Sequence, residues 1–114
     1  MVGMEQLLDP KSGESFRTHL AANLTSKFFC CKYAANHLKG LNKISENKET
    51  GVIINVTSIT AIDGPRGSLA YASSMAAVQG MTVPMSRDLG KFGIRVLSVA
   101  VGGIKELMTA ATPP

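Results

Sequence analysis

The chain has 114 residues, 45% of them hydrophobic and 18% charged, with 5% aromatic residues and no tryptophan. That length fits one domain and excludes two, and the composition excludes an intrinsically disordered chain. The net charge of +4 comes from basic residues scattered from Lys11 to Lys105; no dense cluster forms the one-sided patch that nucleic-acid binding needs.

A chain of this size buries roughly 65% of its unfolded surface, so its core is modest. Residues 1–13 read as a leader, with turn signals at Asp9-Pro10 and Ser12-Gly13. Met1 to Glu14 contain no apolar stretch of the kind that marks a secretory signal. Glu5 and Asp9, with no arginine before Arg17, make a poor transit peptide. No apolar run approaches the ~20 residues that span a membrane. The expectation is an intracellular protein without membrane partners.

A helix is predicted over 14–41. Phe16, Leu20, Leu24, Phe28, Cys31, Ala35 and Leu38 recur at helical spacing. Ser12 is the expected N-cap, and Gly40 and Asn42 mark the end. The adjacent Cys30 and Cys31 point about 100° apart on a helix, so they read as reduced core or half-buried thiols and not as a disulfide. Residues 42–50 form a polar loop.

Val52-Ile-Ile-Asn-Val-Thr57 is short, β-branched and nearly all apolar, the pattern of a strand buried on both faces of a parallel sheet. A loop follows over 60–68, with Gly64-Pro65 and Gly67. A second helix is predicted over 68–91. Pro84 removes the donor to the Gly80 carbonyl, so a bend is expected at Pro84. Phe92-Gly93 ends this helix, and 94–101 is a second buried strand. Residues 102–114 show no clear pattern. Asn23-Leu-Thr25 and Asn55-Val-Thr57 match the glycosylation pattern, but both fall on regular structure, and the matches read as accidental.

The order helix, strand, helix, strand predicts the α/β class: a partial Rossmann-type doubly wound parallel sheet, with 14–114 as its fragment. Two strands alone make a marginal sheet, so neighbours are expected. Ligands of open α/β sheets bind beyond the carboxyl ends of the strands. Ser58 ends the first strand, Gly102-Gly103 end the second, and Tyr71 lies near the start of the helix between them. A hydroxyl, a phenol and a flexible backbone therefore share one rim.

Residues 51–103 resemble the short-chain dehydrogenase/reductase family. The resemblance rests on Gly51-Val-Ile-Ile-Asn-Val-Thr-Ser58, twelve intervening residues, Tyr71-Ala-Ser-Ser-Met75, Gly80-Met-Thr82, Arg87-Asp-Leu89, Gly93-Ile-Arg-Val96 and Ala100-Val-Gly102. The preceding helix joins it through Asn23-Leu24, and the likeness covers about 14–108. Val52-Ile-Ile-Asn55 and Gly80-Met-Thr-Val-Pro84 are most similar to the type-2 3-hydroxyacyl-CoA dehydrogenase subgroup. The resemblance implies a catalytic Ser58 and Tyr71, and an Asn23 that orders an active-site water. It also implies an NAD(H) cofactor, with Tyr71, Val101 and Gly102 on the cofactor side. It implies pairing of the helices 14–41 and 68–91 with their copies in a homo-oligomer, or with a full-length relative. The subgroup is mitochondrial; a cytoplasmic location is the alternative.

Three departures from the family pattern stand out. A phenol with a reference pKa near 10 is a weak acid and base at neutral pH, and the family sets a lysine ammonium beside it. Met75 stands at that position, one helical turn after Tyr71, and a thioether carries no charge and donates no hydrogen bond. The glycine-rich turn that cradles a dinucleotide pyrophosphate occurs nowhere in these 114 residues. Val101-Gly102 and Glu106 replace the family's Pro-Gly and the threonine after it, and a carboxylate there repels phosphate. The expectation is an oxidoreductase by descent with impaired or absent activity and weak cofactor binding. The alternative is a non-catalytic dimerisation module.

Overall fold

The computed structural model describes residues 6–41 and 49–103. The elements are α1 (Ser12–His19), a π-helical segment (Leu20–Thr25), α2 (Ser26–Leu41), β1 (Gly51–Ser58), a 3-10 turn (Ile59–Ala61), α3 (Leu69–Gly80), α4 (Thr82–Leu89), a second 3-10 turn (Gly90–Phe92) and β2 (Ile94–Val101). The α/β class is as read from the pattern. Asn42, Glu106 and the rest of 104–114 lie outside the described residues.

The first helix differs from expectation in three ways. It begins two residues earlier, at Ser12, and Ser12 is not its cap: Lys11 holds the cap position, and Ser12 Oγ donates to the Leu7 carbonyl at 2.8 Å. It is also not uniformly α. Leu20–Thr25 widens into π geometry, a rare form that recurs at functional sites. Side-chain hydroxyls flank the widened stretch: Thr18 Oγ1 donates to the Glu14 carbonyl at 3.0 Å, and Ser26 Oγ to the Ala22 carbonyl at 2.5 Å. Such bonds compete with the backbone ladder and ease its loosening. The wider turn rotates the stripe, so Cys31, Ala35 and Leu38 face the core while Phe16 and Phe28 are exposed. Cys31 is buried, but Cys30 is exposed and not half-buried as expected.

β1 and β2 pair in parallel, with Gly51 opposite Ile94 and Ser58 opposite Val101. Gly93, at φ 72°, turns the chain into β2 in a left-handed conformation that glycine adopts without steric cost. The expectation that both strands are buried on both faces is overturned. Ile53, Asn55, Thr57, Ile94 and Val96 are buried, whereas Val52, Ile54, Val56, Leu97 and Val99 are 40–54% exposed. The cause is layer count: α2, α3 and α4 pack against the strands, and among the described residues no element covers the other face.

The core is correspondingly small. Cys31, Ile53 and Ile94 form its centre, with Ala35, Leu38, Met85, Leu89 and Phe92 packed around them. The expected helix over 68–91 is two helices. The break falls at Met81 and not at Pro84, because Pro84 sits in the first turn of α4, where a missing N–H costs little.

Candidate functional site

Ser58 ends β1 in extended geometry and caps the following 3-10 turn, its Oγ accepting the Thr60 N–H at 3.1 Å. The hydroxyl proton stays free to donate to a ligand oxygen. The strand end is braced from two sides. Gln79 Nε2 donates to Thr57 Oγ1 at 2.9 Å, and Lys27 Nζ to the Val56 carbonyl at 2.5 Å. Deeper in the strand, Cys31 Sγ donates to Asn55 Oδ1 at 3.4 Å.

Tyr71 lies in the first turn of α3 and is half-buried. Its carbonyl accepts from the fully buried Ser74 Oγ at 2.7 Å, and that hydroxyl accepts from Asn23 Nδ2 at 3.0 Å. The resemblance gave Asn23 a task toward water; here its amide is directed to Ser74, and the π segment thereby grips the turn that carries Tyr71. Met75 follows one turn after Tyr71 and is 6% exposed. The His19 ring stands edge-on to the Tyr71 ring, with centroids 6.4 Å apart and planes at 74°. Neither α3 nor the π segment carries a charged side chain.

Sequence reasoning missed His19 and Ser74. The signals were present: His19 precedes Asn23 by four residues, one helical turn on the same face, and Ser74 sits one turn after Tyr71. Both glycosylation matches are occupied internally, since the Asn55 side chain is buried and the Asn23 amide is bonded.

Val101 is the register partner of Ser58, so the two strand ends share one rim. A Cβ added at Gly102 would meet Ile59 Cδ1 at 3.7 Å, an ordinary contact; no tight cradle demands glycine there. A buried thioether stands one turn after Tyr71, and no glycine-rich turn occurs among these 114 residues. Among the described residues no group of three or more His, Cys, Asp or Glu is placed to hold a metal ion, and no helix is long and apolar enough to cross a membrane.

Comparison with known proteins fits this arrangement. The family model described as short chain dehydrogenase matches residues 2–114. The type-2 3-hydroxyacyl-CoA dehydrogenase of Drosophila melanogaster is 39% identical over 100 residues, covering 88% of this chain and 39% of that protein. Its Homo sapiens counterpart is 38% identical over 89 residues, 78% of this chain and 34% of that protein. A 3alpha-hydroxysteroid dehydrogenase of Mediterraneibacter gnavus is 36% identical over 100 residues, 88% of this chain and 37% of that protein. Among solved structures, a type-2 3-hydroxyacyl-CoA dehydrogenase from Mycobacterium avium superposes with a TM-score of 0.81 at 28% identity, covering 92% of this chain and 40% of that one. ElxO with NADP bound superposes at 0.78 with 29% identity, over 93% of this chain and 40% of that one. The chain belongs to the short-chain dehydrogenase/reductase family, and it spans about two fifths of the length of these relatives.

Proposed function

We propose that these residues form the hydroxyl- or carbonyl-binding half of an NAD(P)-dependent oxidoreductase site of the 3-hydroxyacyl-CoA or hydroxysteroid class. We propose further that the 114-residue chain by itself turns over slowly or not at all. The reading rests on the family, and the named activities of the relatives suggest the substrate class. Ser58 and Tyr71 offer two hydroxyl donors for one substrate oxygen, which would orient and polarise a carbonyl.

The observation that carries the impaired half of the reading is the buried thioether of Met75 one turn after Tyr71. It leaves the phenol without a cationic neighbour on α3 and the dinucleotide ribose without a donor. The test is an assay of NADH-dependent reduction of a 3-ketoacyl-CoA by the chain and by its Met75→Lys variant. Neither is expected to exceed the buffer rate, because the lysine restores no phosphate cradle. Clear turnover by Met75→Lys contradicts the reading.

A second reading, an interaction module, is favoured by a specific surface. Phe28, Phe29 and Tyr33 are 51%, 44% and 67% exposed on α2, with Phe28 edge-on to Phe29 and Phe29 stacked on Tyr33. Solvent-exposed aromatic clusters of this kind are what partner surfaces use. The helices of 14–41 and 68–91 would then pair with a second copy or with a full-length relative. Sedimentation analysis separates the cases: a dimer or larger species supports this reading, and a monodisperse monomer alone and with the relative removes it.

A further inference from the structure

Beside Tyr71 lies a buried base that the family pattern does not use. His19 is 8% exposed, and its Nδ1 is 2.7 Å from the Ser15 carbonyl oxygen. A carbonyl oxygen only accepts, so Nδ1 carries the hydrogen of the neutral ring and Nε2 carries the lone pair. That Nε2 is buried and has no hydrogen-bond partner among the described residues. Buried polar atoms are normally satisfied, and an orphan calls for an explanation. The facing ring is Tyr71, edge-on at 6.4 Å. The Tyr71 phenol makes no hydrogen bond to another described residue.

The electrostatic surroundings leave few competitors. α3 and the π segment, the two elements packed on α1, carry no charged side chain. On α1 itself the other ionisable groups are Glu14 and Arg17, both exposed. Met75 supplies neither charge nor acceptor of consequence. A buried imidazole with an unpaired lone pair therefore lies edge-on to a half-buried phenol ring, with no charged side chain on the elements packed against it.

We propose that His19 is a positioning residue for Tyr71. Its Nε2 accepts the hydrogen bond of the phenol through one bridging water. It thereby holds the phenol in place and takes up a proton when the phenolate forms. In that step the Tyr71 O–H bond breaks as its proton passes to the bridging water, that water gives up another proton, an N–H bond forms at Nε2, and a neutral pair becomes a phenolate–imidazolium pair; no electron is transferred. The inference rests on the reading of Tyr71 as the acid–base group of the site.

The test needs neither cofactor nor turnover. Imidazole nitrogen NMR of the full chain resolves His19 against His37, the second histidine. His19 is expected in the Nδ1–H form. Tyr71→Phe keeps the ring and removes only the hydroxyl. It is expected to move the His19 Nε2 resonance, since the lone pair loses its donor, and to leave His37 unmoved. A second measurement follows the Tyr71 ring-carbon shift in a Tyr33→Phe background with and without His19→Val. Movement of that shift supports the bond. If His19→Val does not fold, the Tyr71→Phe comparison decides by itself. An unmoved His19 Nε2 resonance in folded Tyr71→Phe, or a proton on Nε2 in the neutral ring, overturns the proposal. A resonance that moves in Tyr71→Phe, together with clear turnover by Met75→Lys, retires the functional reading and keeps this one; an unmoved resonance in a chain at the buffer rate does the reverse.

Discussion

Asn23 and Ser74, 51 residues apart, are joined by a 3.0 Å bond from the asparagine amide to the serine hydroxyl, which itself donates to the Tyr71 carbonyl at 2.7 Å. The π segment is thus tied to the turn of α3 that carries the phenol. The bond links local helix distortion to the site, because an asparagine amide one turn after His19 would sit at a different angle on a regular helix.

Asn23→Ala is expected to lower stability by about 1 kcal/mol, the usual net loss for one hydrogen bond between partly buried groups. A cycle with Ser74→Ala in urea unfolding should return a coupling of about 0.5–1.5 kcal/mol. Strictly additive losses would mean that the two side chains are merely adjacent.

The two faces of the sheet should respond oppositely to mutation. Ile94, 2% exposed at the centre of the core, should cost about 2–5 kcal/mol on replacement by alanine, through lost transfer energy and an unfilled cavity. Ile54, 53% exposed on the bare face, should cost less than about 0.5 kcal/mol on replacement by threonine. Equal losses in thermal or urea unfolding would mean that both faces are covered in solution.

That contrast shows what the sequence disclosed and what it withheld. The strand at 94–101 and its parallel pairing were legible, because β-branched runs separated by a helical pattern leave little else for the chain to do. The burial of one face only was not legible. Val52, Ile54 and Val56 are as apolar as Ile53, so the string of residue types cannot tell which face lacks a covering layer. Ser58 and Tyr71 were singled out by their place at the strand and helix ends and by family likeness. His19 was not, since a histidine on a helix stripe acquires meaning only when its ring is seen against Tyr71. The π segment was hidden for a related reason: it depends on which hydroxyls bond back to the helix carbonyls.

Gly93→Ala should destabilise by about 1–2 kcal/mol, the usual cost of a side chain in left-handed geometry, since Gly93 has φ 72°. Gly90→Ala is the control. Gly90 has right-handed geometry with open space around its Cα, so its change should be neutral or slightly stabilising. Similar losses at both positions in thermal unfolding would contradict the assigned turn.

The two cysteines should react at very different rates. Cys30 is exposed, while Cys31 is buried with its Sγ bonded to Asn55 Oδ1. A thiol reagent should titrate one group rapidly in the native chain and the second only with unfolding. Rapid reaction of both would mean that α2 does not pack on β1.

Fluorescence titration of the purified chain with NADH bears most directly on the proposal that these 114 residues by themselves do not hold a dinucleotide. No saturable binding is expected up to millimolar NADH, because the buried Met75 one turn after Tyr71 offers the ribose no donor and no glycine-rich turn occurs among these residues to receive the pyrophosphate. Saturable binding at micromolar concentration would contradict that proposal and would mean that the chain completes a cofactor pocket by another route.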